Sequence, residues 1–183
     1  MWEAKDAWPH TVTYQTRWLD NDQYGHLNNS SYYLIADSII NAYLINSCGI
    51  QPFIHSSPST VTSSSSSSPN SSSSKIKEDK IASQVVGLVI SNSCRYYASC
   101  SFPNPLTVAL RLIKLGKSSV TYQVSIAEQG KLTSAALITS THVFVNRVSR
   151  RPVTIPNITR DGLAKLVVDL DQQQDADNAR SKL

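Results

Sequence analysis

Apolar and polar residues change period along this chain, and the changes mark out its elements. Thr11 to Trp18 alternates weakly, as a half-buried strand does. Next comes a segment with almost no polar face: Tyr32, Leu34, Ile35, Ala36, Ile39, Ile40, Ala42, Tyr43, Leu44 and Ile45. Asn28 and Asn29 are good N-caps before it, and Gly49 suits a helix end, so a helix is predicted to about Asn46. A helix apolar all round is expected to be buried all round. Ser30, Tyr33, Asp37 and Asn41, spaced by three or four, form its one polar stripe. Four strands follow: Gln84 to Ala98, Leu106 to Leu115, Ser119 to Ile126 and Leu132 to Val145. The third places Val120, Tyr122, Val124 and Ile126 inward and Ser119, Thr121, Gln123 and Ser125 outward. Gly116-Lys117 and Gln129-Gly130 stand where tight turns are needed. Thr159 to Leu170 reads as a short helix capped by Thr159.

One strand, one apolar helix and four antiparallel strands predict an α+β chain in which a five-stranded sheet wraps a long central helix. That is the hotdog arrangement, expected over residues 11–157. Residues 158–183 form a short helix and a polar tail. A single such layer leaves a sheet edge open, so a homodimer is the minimum expectation and a homotetramer is compatible.

Composition adds three points. Between Ser56 and Ser74, thirteen of nineteen residues are Ser, with Val61 the only aliphatic one. Such a stretch buries too little apolar surface to offset ordering entropy, so a disordered insertion is expected at about 55–80. The net charge of +4 is small and scattered, which argues against nucleic acid and suits an anionic small molecule. No apolar run reaches membrane-spanning length. Cys48, Cys94 and Cys100 match no metal spacing and read as reduced thiols in or near the core. The N-terminal residues show neither a signal-peptide core nor an Arg-rich transit pattern. The chain ends in Ser181-Lys182-Leu183, the address read by the peroxisomal import receptor, so synthesis in the cytosol and delivery to the peroxisomal matrix are expected.

The chemistry concentrates before the helix. Arg17-Trp18-Leu19-Asp20-Asn21-Asp22-Gln23-Tyr24-Gly25-His26-Leu27-Asn28-Asn29 with Tyr32 resembles the signature of the 4-hydroxybenzoyl-CoA thioesterase family. Gly116-Lys117-Ser118-Ser119 resembles that family's Gly-x-Ser-Ser turn, and Arg151-Pro152 with Ile155-Pro156 its closing element. The resemblance implies hydrolysis of an acyl-CoA to free acid and CoA, with no metal or redox cofactor. It makes Asp22 the catalytic carboxylate, as nucleophile or as general base on water.

The residues themselves fit that chemistry. A helix start offers free N–H groups and positive dipole character to a polarised carbonyl, as an oxyanion hole does. Gly25 removes a Cβ from its path. Asp37, on the polar stripe, admits two roles: catalytic help, or a structural hydrogen bond in place of the Glu the family frequently carries. His26 either orients substrate or fixes the loop, and fixing the loop is favoured. Asn28 and Asn29 read as cap and brace, Tyr33 as packing or acyl-pocket lining, and Asp20 as a loop anchor paired with Arg17. For the phosphates of CoA, the basic candidates are Arg95, Lys114, Lys117, Arg147, Arg150 and Arg151; of these Arg150 and Arg151 are carried forward, with the turn that bears Lys117, Ser118 and Ser119.

Two other functions compete. A hotdog enoyl-CoA hydratase uses Asp and His five residues apart, whereas Asp22 and His26 are four apart. A silent acyl-CoA-binding protein would release no thiol.

Overall fold

The computed structural model describes residues 8–50, 84–131 and 133–168. Five strands, β1 (His10–Gln15), β2 (Val85–Tyr96), β3 (Pro105–Leu115), β4 (Ser119–Glu128) and β5 (Ala136–Asn146), form one sheet in the order β1-β3-β4-β5-β2. Every pairing is antiparallel. Helix α1 (Asn29–Cys48) lies across the concave face, and α2 (Asn157–Ala164) closes one end. This is the predicted hotdog arrangement.

The helix ends where the sequence says it must. Asn28 caps it, its Oδ1 accepting from the Ser30 N–H at 3.0 Å. Gly49 takes the left-handed conformation at φ 69°, and its N–H donates to the Leu44 carbonyl. One face of α1, with Tyr32, Ile35, Ile39, Ile40, Tyr43 and Leu44, packs on Leu106, Val108, Leu110, Val124, Ile126 and Ile138 of the sheet. Each such side chain contributes about 1.5–3 kcal/mol when fully buried.

The expectation of all-round burial does not hold within one chain. Leu34 is 61% and Ile45 38% exposed, and Asp37, Ser38 and Asn41 are also at the surface. The reason is the sheet's width. Edge strand β2 extends past the helix, so Val89, Asn92 and Tyr96 on its concave side are exposed as well.

Smaller departures have local causes. The first strand ends at Gln15, and Trp18–Asp20 is a 3-10 turn closed by the Asp20 N–H on the Arg17 carbonyl at 3.0 Å. Ser125 lies on the outer face as read, yet is buried there: its hydroxyl bonds that of Ser134, and its cross-strand neighbours Ala109 and Leu137 pack with Trp8. Thr159 does not cap α2, whose N-cap is Pro156; its hydroxyl donates instead to the Cys48 carbonyl at 2.9 Å. The last strand begins at Ala136, and α2 ends at Ala164. Leu132, the Ser-rich insertion and the terminal Ser-Lys-Leu lie outside the described residues.

Candidate active site

Three elements meet around Asp22. The 3-10 turn delivers Asp20, whose buried carboxylate accepts from the Tyr14 hydroxyl at 2.9 Å, the Arg17 N–H at 2.7 Å and the Arg17 guanidinium at 2.7 Å. Burial pushes this carboxyl up, but the bonds from Arg17 and Tyr14 outweigh it and hold it below its ordinary value. The Asp20 carbonyl accepts from the Asn28 N–H at 2.8 Å and the Ser31 hydroxyl at 2.9 Å. Asp20 therefore ties β1, the loop and the start of α1 together, the anchor role read from sequence.

Residues 21–27 then fold into a small closed loop. Asn21 and Leu27 form an antiparallel bridge, and the Asp22 N–H donates to the His26 carbonyl at 2.7 Å. The carboxylate Oδ1 of Asp22 accepts from the N–H of Tyr24 at 2.8 Å and of His26 at 3.2 Å. Those bonds hold the carboxylate through Oδ1 and do not engage Oδ2. Gly25 has φ 79°, and a Cβ there would meet nothing within 4 Å. The turn's left-handed backbone by itself favours Gly here. The His26 side chain is exposed, and its backbone holds the loop.

Asp22, His26, Leu27 and Asn29 line a cavity of about 300 Å³ with Tyr32 and Tyr96 to Ser99. The Tyr96 hydroxyl donates to the Asn29 carbonyl at 3.3 Å, and its ring meets Tyr32 edge-on at 5.3 Å. Tyr32, Tyr96 and Tyr97 are the site residues sequence reading did not single out as lining; only the family's terminal Tyr hinted at the first. In the first helical turn, the Ser30 N–H is taken by Asn28 Oδ1 and that of Ser31 by the Asn28 carbonyl. Asn29, the first residue of α1, stands on the cavity wall with Asp22, where a helix start carries N–H groups without intrahelical partners. A separate apolar hollow of about 270 Å³, between α1 and β1, is lined by Val12, Tyr14, Ile39 and Tyr43 and holds no Asp or Glu.

A family model, the Thioesterase-like superfamily, matches residues 16–163. The chain belongs to that superfamily. It is similar to the PA5185 protein of Pseudomonas aeruginosa at 34% identity, with 90% of this chain and 96% of that one covered and a TM-score of 0.71. Two more distant structures share the fold. One is a 1,4-dihydroxy-2-naphthoyl-CoA thioesterase from Synechocystis, at 14% identity, 88% and 96% coverage and TM-score 0.61. The other is a Staphylococcus aureus protein in complex with CoA, at 15% identity, 87% and 85% coverage and TM-score 0.64. No curated protein matches the chain.

In this thioesterase-like chain the remaining candidates are not brought to Asp22. The Phe144 N–H donates to the Ser118 carbonyl at 2.7 Å, and the Ile155 N–H to the Lys117 carbonyl at 2.9 Å. The Gly116–Ser119 turn and exposed Arg150 and Arg151 thus share one end of the sheet. Asp22 sits at the other, since the Leu27 N–H reaches the Cys100 carbonyl at 2.7 Å and Asn21 accepts from the Phe102 N–H. The length of β3 puts about 30 Å between the two ends. Tyr33 and Asp37 line a separate small hollow midway along α1. The three cysteines are free thiols. Burial pushes Cys48 up to about 12 and also raises Cys94 and Cys100, so none is a ready thiolate. Among the described residues no group of His, Cys, Asp and Glu is placed to hold a metal ion, and no helix is long and apolar enough to cross a membrane.

Proposed function

We propose that the protein hydrolyses acyl-CoA thioesters to free acid and CoA. The observation that carries this reading is the Asp22 carboxylate, held by two backbone N–H groups on a cavity wall it shares with the start of α1. Polarisation of the thioester carbonyl at the helix start exposes its carbon to attack. Asp22 serves either as nucleophile, forming an anhydride that water opens, or as base on the attacking water. In both routes the thiolate of CoA leaves and takes up a proton.

The site is completed by a second copy. The exposed face of α1 and the concave side of β2 form one uncovered surface, and β2 is an open edge bearing Leu88, Val89 and Ile90. Antiparallel pairing of β2 with its twin reverses the partner end for end. That brings the partner's Gly116 turn and basic end towards this Asp22, where Lys117, Arg150 and Arg151 meet the phosphates of CoA. A monomer by sedimentation at micromolar concentration would refute this pairing. Peroxisomal delivery rests on Ser181-Lys182-Leu183. A reporter fusion lacking that tripeptide should stay cytosolic, and import without it would remove the assignment.

The deciding experiment is thiol release from acyl-CoAs of graded length. Wild type should turn over at least one, and Asp22→Asn should lose about 100-fold or more in kcat with its thermal unfolding nearly unchanged. Wild-type turnover in that variant, or no thiol release from any acyl-CoA, would defeat the reading.

A further inference from the structure

Beyond β5 the chain makes a tight hairpin, Asn146-Arg147-Val148-Ser149-Arg150-Arg151. Asn146 closes its base: its N–H donates to the Arg151 carbonyl at 2.9 Å, and its carbonyl accepts from the Arg150 N–H at 2.8 Å. Its side chain holds the turn as well, Oδ1 accepting from the N–H of Val148 at 3.0 Å and of Ser149 at 2.9 Å. Arg150, at φ 57°, turns the chain back to Pro152, which bridges to Val145. Val148, 88% exposed, and Ser149 are thereby set in solvent at the tip. The Ser149 hydroxyl accepts from the Arg151 N–H at a long 3.4 Å, and among the described residues its O–H is not spent on an acceptor. The tip lies past the end of β5 and the start of β2, not among the α1 and β2 residues that a second copy would cover.

Two features set this serine apart. Arginines stand two residues before it and one and two residues after it. Of the exposed serines among the described residues, only Ser149 has Arg within two residues on both sides. Ser30, Ser38 and Ser47 are held in α1 besides, and Ser91 and Ser93 in the β2 ladder. The second feature is charge. Among the described residues Arg147, Arg150 and Arg151 have no acidic partner; the ion pair, Arg17 with Asp20, is at the opposite end of the sheet.

We infer that Ser149 is a phosphorylation site for an arginine-directed protein kinase, and that its phosphate weakens acyl-CoA binding by occupying the arginines that hold the phosphates of CoA. The regulatory half rests on the hydrolase reading and on the role given there to Arg150 and Arg151. Kinases select substrates by charge pattern, and an exposed loop tip opens locally at little cost to present an extended stretch. The Ser149 oxygen bonds to the γ-phosphorus of ATP, the bond from that phosphorus to the bridging oxygen breaks, ADP leaves, and the hydroxyl proton passes to the kinase's base. The product carries a charge of about −1.5 to −2 and three strong acceptor oxygens. They stand one and two residues from guanidiniums that have no other anion to serve, and such charge-assisted bonds are the strong ones. A phosphate tied to the same loop competes with CoA at an effective concentration on the order of millimolar, at the upper end of ordinary KM values.

The full chain, incubated with ATP and an arginine-directed serine kinase, should gain one phosphate at Ser149 by mass spectrometry. Ser149→Ala should gain none at that position. In thiol release, the phosphorylated protein should show a KM for acyl-CoA raised about fivefold or more with kcat nearly unchanged, as loss of uniform binding requires. Phosphatase should restore the KM, and kinase-treated Ser149→Ala should keep the unmodified value. No phosphate on Ser149, with a kinase that modifies a peptide of residues 146–151, overturns the site. A protein phosphorylated at Ser149 with the unmodified KM overturns the regulation. No thiol from any acyl-CoA with the unmodified protein overturns the hydrolase reading and the regulation with it, while the phosphate at Ser149 still decides the site.

Discussion

Replacing Asp20 tests how this fold holds its reactive loop. The residue is 2% exposed, and its carboxylate takes bonds from the Tyr14 hydroxyl and the Arg17 backbone N–H, besides the Arg17 guanidinium. In Asp20→Ala the guanidinium, already at the surface, rehydrates and adds little. The other two donors lose a charged acceptor in a partly buried place, at about 1.5–3 kcal/mol each. The expected loss is on the order of 3–4 kcal/mol, or a fall in Tm on the order of 10 °C. Asp20→Asn keeps one acceptor oxygen and should lose about half as much. Because the folded carboxyl is held below its ordinary value of 3.8, its contribution is present above that pH. It fades as pH falls through the folded value, so the gap between wild type and Asp20→Asn should shrink in acid. Urea unfolding at neutral pH and at about pH 3 measures this, and kcat on the same samples reports the loop. Asp20→Ala within 1 kcal/mol of wild type would show that the clasp does not hold the turn.

Two further changes probe the core. In Gly162→Ala a Cβ would strike the Ser47 carbonyl and come within 2.7 Å of Cys48 Sγ, so α2 must move off α1. The expected cost is about 1–3 kcal/mol by urea unfolding, and an unchanged midpoint would mean the helices do not pack as described. Burial lowers His142 from its ordinary 6.5, against a smaller upward pull from Asp37. The unfolded chain then binds the proton first, so stability should fall below about pH 6.5, by up to about 1.4 kcal/mol per pH unit, and stay flat above it. A His142→Gln variant with the same acid sensitivity as wild type would exclude this residue as the cause.

The sequence was legible wherever a pattern was local. The caps Asn28 and Gly49, the alternation of Val120 to Ile126 and the glycine-bearing turns at Gly116 and Gly130 each act within a few residues, and each appears as read. The Asp22 loop was legible too, because one short motif carries both its turn and its carboxylate. What escaped was set by distant chain. Ser125 is buried because Ser134, Leu137 and the Trp8 cluster cover it. Arg111, a β3 charge, is buried under the Trp8 ring at 4.3 Å and bonds Gln123, which no period of the strand announces. The exposed side of α1 reads as core because apolar composition alone does not say whether anything covers it. Nor does spacing along the chain tell that Arg150 and Asp22 stand at opposite ends of one sheet.

The place where the Ser-rich stretch joins the fold has a consequence of its own. Its flanks are tied down at the end far from Asp22: the Ile50 N–H donates to the Leu44 carbonyl at 3.1 Å, and the Gln84 carbonyl accepts from the Arg147 N–H at 2.9 Å. Closing a longer connection between two such anchors costs only about 0.6 kcal/mol per doubling of its length. The connection between these anchors is therefore the part of the gene most free to gain or lose codons. A fluorescent or affinity module spliced there would leave the Asp22 loop about 30 Å away.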